Sequence, residues 1–228
     1  VNALAYSDPD MAIPNRNALQ RAIDNAESPD CQLVLVDIDR FSAFEDRFDQ
    51  HFADSVLVSV AIRLSTSFSD RTCVSRLGAD VFGVFGPSQE VTLASVHDLF
   101  SAPFTIEDVE PLRLSATLGA ARLSDVEAEQ PNLFKYAEMA LRRAKLVQRG
   151  NGMQFDATMK DAARARQQVS KNLQAAVLSE QLCLHYQPFV NLQTGEFTGA
   201  EALVRWPDAH GNTTLSEQFI PIAEQSGL

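Results

Sequence analysis

Strand-like and helix-like segments alternate along the first 156 residues, and this alternation limits the possible fold classes more than any other feature of the sequence. The clearest strand is Cys31–Asp37 (CQLVLVD), an apolar run bounded by polar residues. Segment 52–68 places apolar residues on one helical face, and segment 74–85 resembles a hairpin with its turn at 78–80. Further helices are predicted over 14–27, 90–101 and 132–148, and further strands over 112–123 and 153–155. The pattern therefore predicts an α/β domain.

A segment of different character follows this domain. Residues 158–179 lack Gly and Pro and are rich in good helix formers, which predicts a connecting helix. Two strands are predicted over 182–190 and 197–206, and a last helix runs through Ile222–Ser226. We therefore expect three parts, a domain over 1–156, a connecting helix over 157–179 and an incomplete second domain over 180–228.

The composition excludes several classes of protein. Of 228 residues, 45% are hydrophobic and 21% are charged, which excludes wholesale disorder. The chain has 19 Lys+Arg and 30 Asp+Glu, and the resulting charge of −11 repels nucleic acid and anionic lipid. No apolar stretch approaches the roughly 20 residues of a membrane span. We therefore expect no nucleic-acid partner and no membrane contact from this chain.

Two further features concern the origin of the chain. The three cysteines, Cys31, Cys73 and Cys183, lack metal-ligand spacing and are predicted to be core thiols in a reducing cytoplasm. The chain begins at Val1 without a methionine and stops at Leu228 within a helical pattern. We expect these to be cut ends, so that the chain is a piece of a longer protein.

Acidic residues mark one edge of the predicted sheet. Asp37 closes the first strand and Asp80 lies in the hairpin turn, so the two converge if their strands are neighbours. Carboxylates are hard oxygen ligands of the kind Mg²⁺ prefers beside substrate phosphates. Lys145 and Arg149, four residues apart, are predicted to share a helical face and to clamp phosphates. On pattern alone, aspartates at such positions are more often local hydrogen-bonding residues.

Four sequence blocks occur in an order that is specific to one family. The blocks are LAYSDPDMAIPNR, VDIDRFSAFEDRFDQHFADSVL, SRLGADVF and AEMALRRAKLVQRG. Residues 3–156 therefore resemble a GGDEF domain, the diguanylate cyclase domain. The resemblance implies a nucleotide-cyclase-like fold, with a central sheet flanked by helices, that joins two GTP molecules into cyclic di-GMP across a homodimer. It also implies that Asp37 and Asp80 are metal-binding and that Lys145 and Arg149 are phosphate-binding.

Departures from the family pattern predict that this domain makes no cyclic di-GMP. Ala79 replaces the second glycine of the signature, and Val81 replaces its glutamate. Glu45 stands where the family has a guanine-contacting asparagine, although Asp54 matches the second guanine contact. The loss of an active-site acid together with added negative charge opposes triphosphate turnover. GTP remains open as a regulatory ligand.

The product-inhibition site of the family is also predicted to be missing. Its Arg-x-x-Asp motif falls on Ser69 and Thr72, which carry neither the arginine nor the aspartate. We therefore expect no inhibitory binding of cyclic di-GMP to this half of the chain.

The last 50 residues resemble the opening of an EAL domain. Tyr186–Pro188, Glu201–Leu203, Val204–Trp206 and Phe219–Glu224 fall in the order of that family. The resemblance implies a TIM-type barrel that linearises cyclic di-GMP with two divalent metals, Mg²⁺ or Mn²⁺. The implied site residues are Glu201 as a metal ligand, Arg205 on a phosphate, Gln187 on a guanine edge, and Leu203 and Pro221 along the base pocket.

This second resemblance covers too little sequence for a complete domain. A TIM barrel takes at least about 200 residues, so the piece cannot bury the barrel core, and the family's other metal ligands lie downstream of Glu201. We expect the chain alone to be inactive. Three hypotheses remain for the longer protein: a cyclic di-GMP phosphodiesterase with a regulatory GGDEF half, a non-catalytic cyclic di-GMP receptor that signals through a protein partner, or a structural dimerisation module.

Overall fold

The structure is a computed structural model whose contacts divide the chain into two units, Val1–Met159 and Lys160–Leu228. In the part of the chain that the structure describes, no helix has both the length and the apolar character needed to cross a membrane. The described residues are 3–43, 50–106, 110–126, 132–207, 213–214 and 216–227.

The first unit is an α/β domain, which confirms the predicted fold class. Its second helix begins where the sequence indicates, because the Asn15 side chain accepts hydrogen bonds from the amides of Asn17 and Ala18. The elements are α1 (Ala3–Tyr6), α2 (Arg16–Asp24), β1 (Cys31–Ile38), α3 (Gln50–Thr66), β2 (Cys73–Arg76), β3 (Val81–Pro87), α4 (Leu93–Asp98), β4 (Ala116–Arg122), a 3₁₀ turn (Leu123–Asp125), α5 (Leu133–Val147) and β5 (Gly152–Gln154).

Five strands form one sheet in the order β2-β3-β1-β4-β5. The central strand β1 is antiparallel to β3 and β4, whereas β5 is parallel to β4. The register pairs Asp37 with Val81 on β3 and with Thr117 on β4. The end of β1 therefore meets the turn that leads into β3.

Helices cover both faces of this sheet, which explains why β1 is a continuous apolar run rather than an alternating one. Val34 and Val36 belong to the core on the face covered by α3. Leu33 and Leu35 belong to the core on the opposite face, with side chains from α2 and α5. Both sets of β1 side chains are almost completely buried.

Helix α5 packs unusually close to β4 at Gly119. A Cβ added at this position would lie 2.2 Å from the backbone nitrogen of Leu141 and 2.5 Å from the carbonyl oxygen of Ala137. The absence of a side chain therefore sets the distance between helix and strand. Lys145 lies one helical turn beyond Leu141.

Several predicted boundaries in the first unit are wrong, among them those of the helix predicted over 14–27, which is observed over Arg16–Asp24. The strand predicted over 112–123 begins at Ala116, and Leu112 instead forms an isolated bridge with Phe104. The alternating apolar residues belong to two segments, the one that bridges to Phe104 at Leu112 and the strand that begins at Ala116. The period of two therefore starts before the strand does. The helix predicted over 90–101 is limited to Leu93–Asp98.

The second unit contains a long helix, an antiparallel ribbon and a last helix. This last helix is longer than predicted and includes Pro221. Near its start, the ring of Phe219 packs edge-on against Trp206, with 5.7 Å between the ring centroids. The elements are α6 (Ala157–Leu178), which starts at the end of the first unit, β6 (Cys183–Val190), β7 (Phe197–Pro207), β8 (Thr213–Thr214) and α7 (Ser216–Ser226).

The β6–β7 ribbon leaves apolar side chains exposed. Leu184 pairs with Val204 and Tyr186 pairs with Ala202, so these four residues share one face. Leu184 is 54% exposed and Tyr186 is 65% exposed. This exposure is expected of a piece too short to bury the core of a barrel.

Candidate functional sites

The end of β1 and the β2–β3 turn bring two aspartates together in the first unit. The amide of Ile38 donates a hydrogen bond to the carbonyl of Asp80 at 3.2 Å. Asp37 is only 7% exposed, and the neighbouring charges of Asp80 and Asp39 act on its carboxylate. The strands are neighbours as the acidic pattern required, so Asp37 and Asp80 lie at the same edge of the sheet.

Lys145 forms an ion pair with Asp37. Its Nζ donates to Oδ2 of Asp37 at 2.5 Å, and the side chains of the two residues are 32% and 10% exposed. Burial raises the pKa of Asp37 above its ordinary value, the hydrogen bond and charge of Lys145 lower it, and the charges of Asp80 and Asp39 raise it. The ammonium group predicted to hold a phosphate is therefore paired within the protein.

Asp39 anchors the loop that follows α5, a role that the sequence reasoning missed. Its two carboxylate oxygens accept hydrogen bonds from Thr117 Oγ1 at 2.6 Å and Ser115 Oγ at 2.8 Å. The same Thr117 hydroxyl accepts from the amide of Gly150 at 3.0 Å, and the Gly150 carbonyl lies 3.0 Å from His97 Nε2. The repeated Asp-x-Asp at the end of β1 was the available signal.

The other predicted nucleotide contacts are more exposed. Helix α5 ends at Val147, so Arg149 lies in the following turn and does not share a helical face with Lys145, contrary to the prediction. Arg149 is exposed, as is Asp54 on α3. Glu45 lies outside the described residues.

The signature turn is held by Arg76. Its guanidinium donates to the carbonyls of Gly78 at 3.3 Å and Ala79 at 3.1 Å, and forms salt bridges with Asp8 and Asp10. Through these contacts, Arg76 connects the signature turn to the segment that precedes α2. An open cavity of about 400 Å³ lies between this segment, the start of α2 and the signature turn. Its lining residues are Asp8, Asn15, Arg16, Asn17, Arg76, Leu77, Gly78 and Ala79.

Glu90 occupies the region of the missing product-inhibition motif. Its carboxylate accepts from the amide of Ser69 at 2.5 Å and from the Ser69 hydroxyl at 2.8 Å. These hydrogen bonds lower the pKa of Glu90, the one from the Ser69 amide most. A fixed anion at this turn opposes the binding of a phosphodiester.

The donor set at the edge of the sheet suits Mg²⁺ only in part. Asp37 and Asp80 supply two carboxylates, and Mg²⁺ is commonly held by one or two carboxylates with phosphate oxygens and water. Among the described residues, no three His, Cys, Asp or Glu side chains are grouped so as to hold a metal ion. The pair would therefore supply part of the coordination of a cation, with phosphate oxygens or water completing it.

The β6–β7 ribbon brings together four of the residues predicted to bind cyclic di-GMP. Gln187 lies directly opposite Glu201, and Leu203 and Arg205 follow at two-residue spacing on the same face. Arg205 donates from Nη1 to the Ser216 hydroxyl at 3.3 Å, so the start of α7 contributes to its position. This face carries His185, Gln187, Glu201 and Arg205 together with Leu203 and Phe189, so it is mixed in polarity, whereas the opposite face of the ribbon is apolar.

Pro221 belongs to α7 and not to the ribbon. It is exposed on α7, two residues after the buried Phe219. Its place along a base pocket stays a prediction.

Two family models match the chain, in the order expected from the blocks. The model for "Diguanylate cyclase, GGDEF domain" matches residues 5–151, and the EAL domain model matches residues 170–228. Over 99% of this chain, it is 31% identical to the bifunctional diguanylate cyclase/cyclic di-GMP phosphodiesterase MucR of Pseudomonas aeruginosa. Over the same share, it is 28% identical to the cyclic di-GMP phosphodiesterase PdeR of Escherichia coli. The chain spans 34% and 35% of these relatives, about a third of their length.

Solved structures show the same folds. The GGDEF domain of TpbB, also called YfiN, from Pseudomonas aeruginosa matches 70% of this chain and 99% of its own, with TM-score 0.60 and 28% identity. The S helix-GGDEF-EAL structure of Vibrio cholerae LapD matches 99% of this chain and 54% of its own, with TM-score 0.58 and 18% identity. The chain therefore belongs to the GGDEF family, carries part of an EAL domain, and is a member of the GGDEF–EAL proteins of cyclic di-GMP signalling.

Proposed function

We propose that the GGDEF half of this protein is a regulatory module that makes no cyclic di-GMP. Val81 at the signature position removes an acidic group, and Ala79 adds a methyl group where backbone should approach phosphates. GTP binding without turnover, and dimerisation through this half, belong to the proposal.

We propose further that the longer protein hydrolyses cyclic di-GMP to linear pGpG in the bacterial cytoplasm through its EAL half. The observation that carries this proposal is the register that places Gln187, Glu201 and Arg205 on one face of the ribbon. Glu201 would be one ligand of Mg²⁺ or Mn²⁺, which, when bound, polarises a phosphodiester and activates water. Arg205 would orient a phosphate with its forked donors, and Gln187 would pair with a guanine edge.

The test is turnover of cyclic di-GMP by the longer protein with Mg²⁺ or Mn²⁺. We expect Glu201→Ala to lower the rate at least about 100-fold, as expected when a metal ligand is lost. The matched control is Glu196→Ala, which removes an exposed glutamate from the turn of the same ribbon and should leave the rate unchanged. Tight binding of cyclic di-GMP with no turnover by either form would instead establish the receptor that signals through a protein partner.

A further inference from the structure

The charge balance around Asp37 points to a function for Lys145 besides phosphate binding. The side chain of Asp37 is 10% exposed, and the negative charges of Asp80 and Asp39 act on its carboxylate. The carboxylate of Asp39 is satisfied by Ser115 and Thr117, which are neutral. Among the residues that the structure describes, Lys145 is therefore the cation that pairs with Asp37 at this acidic edge.

Lys145 and a divalent cation need the same oxygen atoms. A buried carboxylate without a nearby cation is strongly unfavourable, so Asp37 stays ionised when one cation or the other compensates its charge. The lysine is tethered to α5, whose distance from β4 is set by the close contact at Gly119. It is therefore present at a high effective concentration, whereas a free cation must lose hydration water to displace it.

We propose that Lys145 excludes divalent cations from Asp37 when no nucleotide is bound. Phosphate groups that attract Lys145 would release the carboxylate, so cation entry at this edge depends on prior or simultaneous arrival of phosphate. The GGDEF half then stays free of metal at cellular Mg²⁺ until a nucleotide binds. This proposal concerns the cation alone and is independent of hydrolysis by the EAL half.

The test is the thermal unfolding of the 228-residue chain with millimolar Mn²⁺ and with EDTA, together with electron paramagnetic resonance to count bound Mn²⁺. We expect Mn²⁺ to raise the melting temperature of Lys145→Met by about 3–6 °C and to add one bound ion. The wild type should show neither effect. The matched control is Lys135→Met, an exposed lysine on the same helix, which should behave as the wild type does.

Two further variants keep the test decisive. Lys145→Gln retains a hydrogen-bond donor, so it folds if the methionine variant does not, and it should gain the same Mn²⁺ response. Combining it with Asp37→Asn removes the carboxylate and should abolish that response. The proposal is overturned if the wild type binds Mn²⁺ as well as Lys145→Gln does, if neither Lys145 variant gains a response, or if the double variant keeps it.

Discussion

At the scale of single residues, the main feature of the first unit is the ion pair between Asp37 and Lys145. Asp37 is buried beside two other carboxylates, and its pKa is raised by that burial even though Lys145 donates to it at 2.5 Å. The ion pair offsets an unfavourable burial rather than adding a large net stability, as is usual for partly buried pairs. Its main consequence is that Asp37 and Lys145 are both engaged before any ligand arrives.

Glu90 gives a pH-dependent prediction at the same scale. Its pKa is lowered from 4.5 by the hydrogen bonds from Ser69, so the folded state favours the ionised form. The resulting stabilisation is present at neutral pH and is lost as the pH falls through the folded pKa. We therefore expect Glu90→Gln to melt below the wild type at pH 7, with the difference between the two melting temperatures shrinking as the pH falls below 4.5.

A second glutamate supplies the control for this measurement. Glu110 is exposed and lies 20 residues further along the chain. Glu110→Gln should follow the wild type at every pH. A difference between Glu90→Gln and the wild type that stays constant from neutral to acid pH would contradict the assignment.

The residues of the candidate nucleotide site were predictable only where their spacing in the sequence determines which elements bring them together. Asp37 and Asp80 could be placed together because a strand end and a hairpin turn meet at one edge of the sheet. The pairing of Lys145 with Asp37 could not, because the two residues are 108 positions apart and the contact depends on how α5 packs. Position in the family motif indicates a phosphate ligand, whereas packing decides what Lys145 contacts.

At the scale of elements, apolar periodicity located the strands and helices but not all their ends. Helix α5 ends at Val147, so a spacing of four residues does not put Arg149 on the helical face of Lys145. Strand β4 begins at Ala116 although the alternation starts at Leu112. The apolar period reflects which side chains are buried, and buried side chains continue beyond the residues at which the backbone hydrogen bonds of a helix or strand begin or end.

The contact between β4 and α5 gives a prediction at this scale. Gly119→Ala places a methyl group within 2.2 Å of the Leu141 backbone, so helix and strand must separate. We expect a loss of about 2–3 kcal/mol in the free energy of unfolding, measured by urea denaturation followed by circular dichroism. Because α5 carries Lys145, the same change should weaken its ion pair with Asp37.

A glycine in another strand is the control for this substitution. A Cβ at Gly199 on β7 would lie 3.6 Å from the Phe189 ring, which is an ordinary contact. Gly199→Ala should therefore change the free energy of unfolding by no more than about 0.5 kcal/mol. Equal effects of the two substitutions would show that the close approach of α5 to β4 is not the cause.

At the scale of the whole molecule, the two units have unequal cores. The first buries both faces of its sheet, whereas the β6–β7 ribbon of the second leaves Leu184 and Tyr186 more than half exposed. The family blocks predicted this difference, because they cover a full GGDEF domain and a short part of an EAL domain. The chain spans about a third of its relatives, so catalysis is proposed for the longer protein.

The most direct test of the account is whether the longer protein makes cyclic di-GMP or degrades it. The longer protein is incubated with Mg²⁺ and either GTP or cyclic di-GMP, and the products are separated by chromatography. We expect linear pGpG from cyclic di-GMP and no cyclic di-GMP from GTP, including in the Glu201→Ala form, where any cyclic product would accumulate. Cyclic di-GMP formed from GTP by that form would contradict the account.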